Sequence, residues 1–281
     1  MKKLKISFFF LLILYSTFKT SAQGIEFGIL LGASNYYGDL SNNTIMASQT
    51  HPSAAILGRY NLNGRWAIKG YFGYGRISGA DSLGTSDYRK ARNLSFYSDI
   101  YEFSAQIELN LVKNTSGTNK FIPYFFGGIG VFNFNPKTTF QGTTFELQPL
   151  GTEGQGTTLY NDRDKYALTT ICIPIGIGVK KKVGKHISVG IEVGVRFTTT
   201  NYLDDVSGTY ADARAVGASN GAIAYALSDR SGEKTTKDVG NLFKEGDLRG
   251  YKSFQFTDMY FMGGLSFTYV FRNQGMKCPK F

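Results

Sequence analysis

Two stretches of the chain alternate strictly between apolar and polar side chains. In Tyr101–Leu111, Tyr101, Phe103, Ala105, Ile107, Leu109 and Leu111 alternate with Glu102, Ser104, Gln106, Glu108 and Asn110. In Ile187–Phe197, Ile187, Val189, Ile191, Val193, Val195 and Phe197 alternate with Ser188, Gly190, Glu192, Gly194 and Arg196. Successive side chains of a strand point to opposite faces, so each stretch predicts a strand with one apolar and one polar face. Each is also about as long as a tilted strand must be to cross bilayer hydrocarbon.

Six further stretches fit the same pattern less cleanly. Ile25–Gly32 puts Ile25, Phe27, Ile29 and Leu31 on one face, and Ser53–Leu62 does so with Ala54, Ile56, Tyr60 and Leu62. Arg65–Ile77, Thr170–Lys182 and Met259–Phe271 behave alike, the last two with Gly or small polar residues between the apolar ones. Phe121–Phe134 is apolar on both faces and its register stays open. The connections alternate in length. Ala33–Pro52, Ser78–Asn93, Asn135–Tyr166 and Thr200–Phe256 are long, whereas Asn63-Gly64, Asn114–Asn119 and Gly184-Lys185 are short and carry hairpin chemistry. Long loops at one rim and tight turns at the other describe an all-β, eight-stranded, antiparallel, transmembrane up-and-down β-barrel, with long extracellular loops and short periplasmic turns. An even strand number returns the C-terminus to the periplasm.

A soluble sandwich or lipocalin-like barrel would bury the apolar face instead. Four features favour the membrane. The first is an N-terminal secretory signal: Lys2, Lys3 and Lys5, the apolar run Ile6–Leu14, and the small residues Thr20-Ser21-Ala22, with cleavage expected before Gln23. The second is an aromatic excess, 23 Phe and 18 Tyr, at a mean hydropathy of only -0.17. The others are the Gly-rich polar face and the loop asymmetry. The expected organisation is a signal peptide over 1–22, a barrel over 23–272 and a short periplasmic tail, Asn273–Phe281. The signal's apolar run is too short for a spanning helix, and no later segment is apolar for long enough to make one. Removing the signal takes away four lysines and no acid, so the formal charge falls from +10 to +6. That balance suits an anionic lipid surface and is too weak to argue for nucleic acid.

The polar face carries charges that a narrow barrel must hold inside. Glu26, Arg59, Lys69, Glu102, Glu108, Glu192 and Arg196 are expected to form a lumen ion-pair network, because an eight-stranded barrel has room only for its own side chains and buried charges must be paired. Glu192 and Arg196 share a face. A plugged barrel follows, with a narrow channel as the rival reading. Lys180, Lys181, Lys182 and Lys185 form a basic cluster at the periplasmic rim, suited to lipid head groups or an acidic partner. Arg89, Lys90 and Arg92 form a second cluster at the outer rim, at the level of lipopolysaccharide phosphates. Trp66, Tyr101, Phe121 and Tyr124 lie near strand ends where aromatic girdles form, with ordinary cross-strand packing as the alternative.

Catalytic signals are thin. The two histidines, His51 and His186, fall at opposite rims, and only His51 with Ser53 or Ser48 offers a Ser-His pair. Gly178–His186 is misspaced for a phosphate-binding loop and lacks the Ser or Thr that should follow. His and Cys are too few for a metal site of that type. Asp204, Asp205 and Asp212 are acidic enough for a hard cation but read more simply as loop residues. Cys172 and Cys278 fall at opposite ends of the barrel and are not expected to bridge. No catalytic residue, cofactor or metal is assigned.

Several segments carry a family resemblance. Glu26-Phe27-Gly28 through Ala33-Ser34-Asn35-Tyr36-Tyr37-Gly38-Asp39-Leu40 resembles the opening of the PorG-like outer-membrane barrels, also known as DUF6089. Arg92-Asn93-Leu94-Ser95-Phe96, Asp99-Ile100-Tyr101-Glu102-Phe103, Leu147–Gly156, Asn201–Ser207 and Cys278-Pro279-Lys280-Phe281 extend the likeness over nearly the whole mature chain. The resemblance implies a Bacteroidota-type source. It also implies an accessory role in type IX secretion, in which PorG is associated with a periplasmic ring of PorK and PorN. Many relatives have no assigned role, and Ala213–Lys252 does not align. The leading expectation is therefore a non-enzymatic outer-membrane barrel that serves type IX secretion. The alternatives are an orphan barrel whose long loops bind a surface ligand, a lipid-modifying barrel enzyme, and a narrow channel. A closed barrel has no open edge strand, so nothing in the sequence forces assembly.

Overall fold

The structure, a computed structural model, describes residues 24–41, 47–114, 121–184, 186–233, 242–250 and 258–271. The signal segment, the tail Asn273–Phe281, Lys185 and Cys278 lie outside them. Eight long strands form the wall: β1 (Ile25–Tyr37), β2 (His51–Asn61), β3 (Trp66–Ala80), β4 (Ser95–Asn110), β5 (Phe121–Asn133), β8 (Thr169–Val183), β9 (Ile187–Thr198) and β10 (Met259–Phe271). A short hairpin, β6 (Lys137–Phe140) and β7 (Thr143–Glu146), hangs from β4 through the Tyr97–Lys137 bridge. Neighbouring wall strands pair antiparallel, β10 pairs with β1, and β3 pairs with β4, so the sheet closes on itself. Closure leaves no strand of the wall with an unpaired edge.

The alternation in the sequence is the alternation of the wall. Ile56, Phe103 and Ile129 point outward and are 61%, 65% and 60% exposed. The next residues along each strand are buried in the lumen. An apolar belt outside and charges inside is the inverse of a soluble barrel, so the wall is transmembrane. No helix among the described residues is long and apolar enough to cross a membrane. The open register of β5 resolves with Phe121, Pro123, Phe125, Ile129 and Val131 outward and Ile122, Tyr124, Phe126 and Phe132 inward. Glycines let so narrow a wall bend. Gly32 and Gly264 face each other across β1 and β10, and a Cβ on either would run into the opposite strand's backbone.

Several strands run further than the alternation suggests. β1 continues through Ser34-Asn35-Tyr36, which pair with Met262, Phe261 and Tyr260. β4 starts at Ser95. These extensions hold a different interior. Ile77, Phe96, Ile100, Phe132, Tyr260 and Met262 point inward and pack with Leu40, Leu94, Leu147, Leu203 and Leu227 from the long connections. The lumen therefore has two layers, an ionic one toward the tight turns and an apolar one toward the loops.

The long connections are folded over that apolar layer. After β3, a 3-10 turn leads into α1 (Asp87–Arg92), which ends at Asn93 in the left-handed conformation (φ 58°). After β7 comes a single helical turn, α2 (Leu147–Leu150). The connection after β9 contains α3 (Ala213–Asn220), with Asp212 accepting from the Arg214 amide at 2.8 Å, and then α4 (Ala222–Ser228).

Candidate functional site

The ionic layer of the lumen is built from inward positions on six strands. Arg59 on β2 sits between two carboxylates, with Nη1 donating to Glu26 Oε2 at 2.7 Å and Nε to Glu108 Oε2 at 2.7 Å. Lys180 on β8 donates to the other oxygen of Glu108. Lys69 on β3 donates to both oxygens of Glu192 on β9, at 3.1 and 3.0 Å, and the Tyr124 hydroxyl donates to Glu192 Oε2 at 2.7 Å. The Lys69 ammonium also lies 3.9 Å from the Phe126 ring centroid. Nearer the loops, Arg196 donates to Glu102 Oε2 at 2.9 Å, and Tyr260 and Ser104 donate to the same carboxylate. All eight charged side chains are at most 4% exposed.

The structure brings together the seven residues expected in the lumen, with different partners. Glu192 and Arg196 do not pair with each other. Four residues of strand separate them by about 13 Å, too far for an ion pair. The expected set also had four acids and only three bases. The missing base is Lys180, which corrects its placement at the rim: it is buried, and its charge makes the layer neutral. Parity could have found it, since Cys172, Pro174, Gly176, Gly178 and Lys180 occupy the inward positions of β8. Tyr124 is likewise inward and 1% exposed, so it belongs to no girdle, whereas Trp66, Tyr101 and Phe121 do face outward.

At the tight-turn rim, Lys181 and Lys182 are half-buried, with the Lys181 ammonium 4.9 Å from the Phe121 ring centroid. Arg65 and Lys113, not singled out by the sequence, are exposed in neighbouring turns, where the Asn114 amide donates to the Gly64 carbonyl at 2.7 Å. Among the described residues, no acid stands exposed on these turns.

At the loop rim, two of the three cations assigned to lipopolysaccharide are corrected. Arg89 and Arg92 are 6% and 1% exposed and share the carboxylate of Asp81, at 3.1 and 2.8 Å. They lie three apart on α1 and so share its inner face, while Lys90 points to solvent. Arg249 pairs with Glu153 at 3.3 Å and approaches Asp205 at 3.9 Å. Asp205 accepts from Thr152 and Tyr166 at 2.5 and 2.7 Å, and burial pushes its pKa up to about 6. Burial and repulsion by Asp39 raise Asp204, and burial and repulsion by Asp204 and Asp39 raise Asp258, both well above the usual carboxylate range. Asp204 bonds Tyr36, Asp205 bonds Thr152, and Asp212 caps α3, so the three loop aspartates do not converge on one point. No metal-holding group of side chains occurs among the described residues.

His51 pairs with neither Ser53 nor Ser48. Its Nε2 lies 2.7 Å from Ser78 Oγ. Among the described residues nothing hydrogen-bonds its Nδ1, so the pair lacks the third group that orients a catalytic histidine.

Comparison with solved structures finds small outer-membrane barrels at low similarity. Neisserial surface protein A is 9% identical, with 89% of this chain and 99% of that one aligned and a TM-score of 0.42. The attachment invasion locus protein Ail of Yersinia pestis is 9% identical over 89% and 99%, with a TM-score of 0.39. OprG of Pseudomonas aeruginosa is 10% identical over 90% and 94%, with a TM-score of 0.36. No curated protein matches the sequence. A family model does, across residues 5–220, and on that match the chain belongs to the family described as Domain of unknown function (DUF6089).

Proposed function

We propose that this chain is a non-enzymatic barrel of a bacterial outer membrane and an accessory part of type IX protein secretion, its tight-turn rim meeting a periplasmic ring of the PorK and PorN kind. The observation that carries this reading is the interior. Eight paired charges and an apolar layer fill the lumen, so the activity belongs to the rims. With the turns in the periplasm, Arg65, Lys113, Lys181 and Lys182 present a basic surface to an acidic partner or to phospholipid head groups. Lys90, and not Arg89 or Arg92, is then the cation of the outer cluster available to lipopolysaccharide. The test is the extracellular proteome of a strain lacking the gene. Loss of type IX cargo with an intact outer membrane is expected. An unchanged secretome overturns the secretion role. In planar bilayers the purified barrel should show no steady unit conductance.

A second reading, an orphan barrel whose extracellular loops bind a surface ligand, is favoured by the folded loop layer, which buries Arg92, Arg249, Asp81 and Glu153 in side-chain pairs. Its test is deletion of Ala213–Lys252, which should abolish a ligand-dependent phenotype and spare secretion. A lipid-modifying enzyme would need His51, and His51→Ala should leave lipid A mass unchanged.

A further inference from the structure

The loop layer contains a cavity of about 230 Å³ lined by Tyr88, Arg92, Leu248, Arg249 and Gly250. Its floor is held firmly. The Tyr88 hydroxyl donates to the Leu248 carbonyl, Arg92 Nη1 donates to the Arg249 carbonyl, and the Arg249 amide donates to the Gly208 carbonyl at 2.9 Å. Arg249 is 2% exposed, yet it uses one nitrogen in hydrogen bonds. Nη1 donates to Glu153 Oε1 and to the Asp205 carbonyl at 2.8 Å. Nη2 comes no nearer than 3.9 Å to Asp205 Oδ2, and Nε has no acceptor. A buried guanidinium nitrogen left unmet, as Nε is, is costly, because that donor gave up water and gained nothing. The Tyr210 hydroxyl nearby is also buried without a partner.

The chemistry of the lining is one-sided. None of the named lining residues is acidic. Asp81, Glu153 and Asp205 grip the two guanidiniums, and Asp39 lies against Gly250. At the mouth the surface turns apolar, with Leu248 52% and Tyr88 39% exposed. Tyr88 is braced edge-on by Phe243 at 5.3 Å, and Phe243 stacks on Tyr210 at 4.8 Å. A fixed aromatic ring beside a guanidinium whose Nε lacks an acceptor suits a ligand with both an oxyanion and an apolar ring face. A bare anion leaves the rim uncovered, and a neutral sugar offers the guanidinium only the weaker acceptors of its hydroxyls.

We propose that this cavity binds an acidic saccharide, its carboxylate or phosphate taken by the Arg249 fork and its ring face by Tyr88 and Leu248. The site deepens the loop-ligand reading and does not depend on the secretion role. Calorimetry on the purified full chain in detergent micelles reads binding, whereas the secretome reads export, so either can fail alone. Three probes are titrated: a hexasaccharide of alternating glucuronate and N-acetylglucosamine, the same chain with its carboxyls reduced to alcohols, and phosphorylated lipopolysaccharide core oligosaccharide freed of lipid A. At least one acidic probe should bind about tenfold or more tighter than the neutral one, and the better of the two identifies the source. Arg249→Lys keeps the charge but loses the fork, and Leu248→Ser changes the rim and touches no ion pair. Each should weaken binding about tenfold. Resistance of the loop layer to trypsin shows whether it stays folded, and if Arg249→Lys loosens it, Leu248→Ser decides. Equal affinity for acidic and neutral probes overturns the proposal. So does the absence of saturable binding by either acidic probe, or full affinity in the variants that keep the loop layer folded.

Discussion

Arg59→Met should test the ionic layer most severely. Arg59 holds two carboxylates at 2.7 Å each, and every member is within 1% of complete burial. Methionine fits the space but meets neither acid. Glu108 keeps Lys180, whereas Glu26 keeps mainly the Asn61 amide at 2.9 Å, so Glu26 becomes the stranded charge. Removing one partner of a buried pair costs about 3–5 kcal/mol, most of it from the charge left behind. Equilibrium urea unfolding in detergent measures it, with Trp66 as a unique fluorescent reporter on the outer wall. Adding Glu26→Gln should return about 1–2 kcal/mol, because it removes the stranded charge, so the two changes should be non-additive. A loss under about 1 kcal/mol for Arg59→Met, or simple additivity in the double variant, would refute this account. Either result would mean that water enters the lumen and solvates the carboxylates.

Gly264→Val should prevent closure of β1 on β10 and abolish the heat-modifiable folded band on gels, because its side chain meets the Leu31 and Gly32 backbone. Gly70→Val, on the open outer face, should be tolerated, and equal behaviour of the two would sink the argument. Asp205 has a folded pKa of about 6 against 3.8 for an unperturbed aspartate. Its stabilising effect on the loop layer is therefore complete below pH 3.8 and is lost as pH rises to about 6, by roughly 3 kcal/mol in a rigid site. Asp204 and Asp258, also raised, slope the same way. Asp205→Asn should flatten the pH dependence of proteolytic protection between pH 4 and 6.5, and an unchanged slope counts against it.

The wall was legible because membrane and lumen impose opposite chemistry on alternate residues. Tyr101–Leu111 and Ile187–Phe197 show that contrast undiluted, because the inward residues within both stretches are polar, small or charged. The contrast fails where the lumen itself turns apolar. Phe96 and Ile100 on β4 and Phe132 on β5 face an interior as greasy as the bilayer, and Tyr124 and Phe126 carry rings into the ionic layer, so alternation cannot mark strand or register there. The charge clusters misled for a related reason. Lys180-Lys181-Lys182 reads as one patch in sequence, yet strand geometry sends Lys180 into the lumen and Lys181 to the wall's outer side. Arg89 and Arg92 read as surface charges until α1 turns both onto Asp81, which lies in a preceding turn whose direction local sequence does not specify.

The same geometry decides where function can lie. The ionic layer is neutral, with four acids and four bases each within reach of a partner, so a permeating ion would have to break a buried pair at a cost of several kcal/mol. Above it, Ile77, Ile100 and Phe132 fill the lumen with groups that cannot solvate an ion. The two rims differ in kind. The tight turns present exposed cations with little structure of their own, a surface suited to long-range attraction of an acidic partner. The loops instead bury their charges, fix three aromatic rings in contact and leave one guanidinium short of acceptors. Such preorganisation adds nothing to a passive cover. It fits a surface that discriminates among ligands, because the ordering cost is met on folding and not on binding.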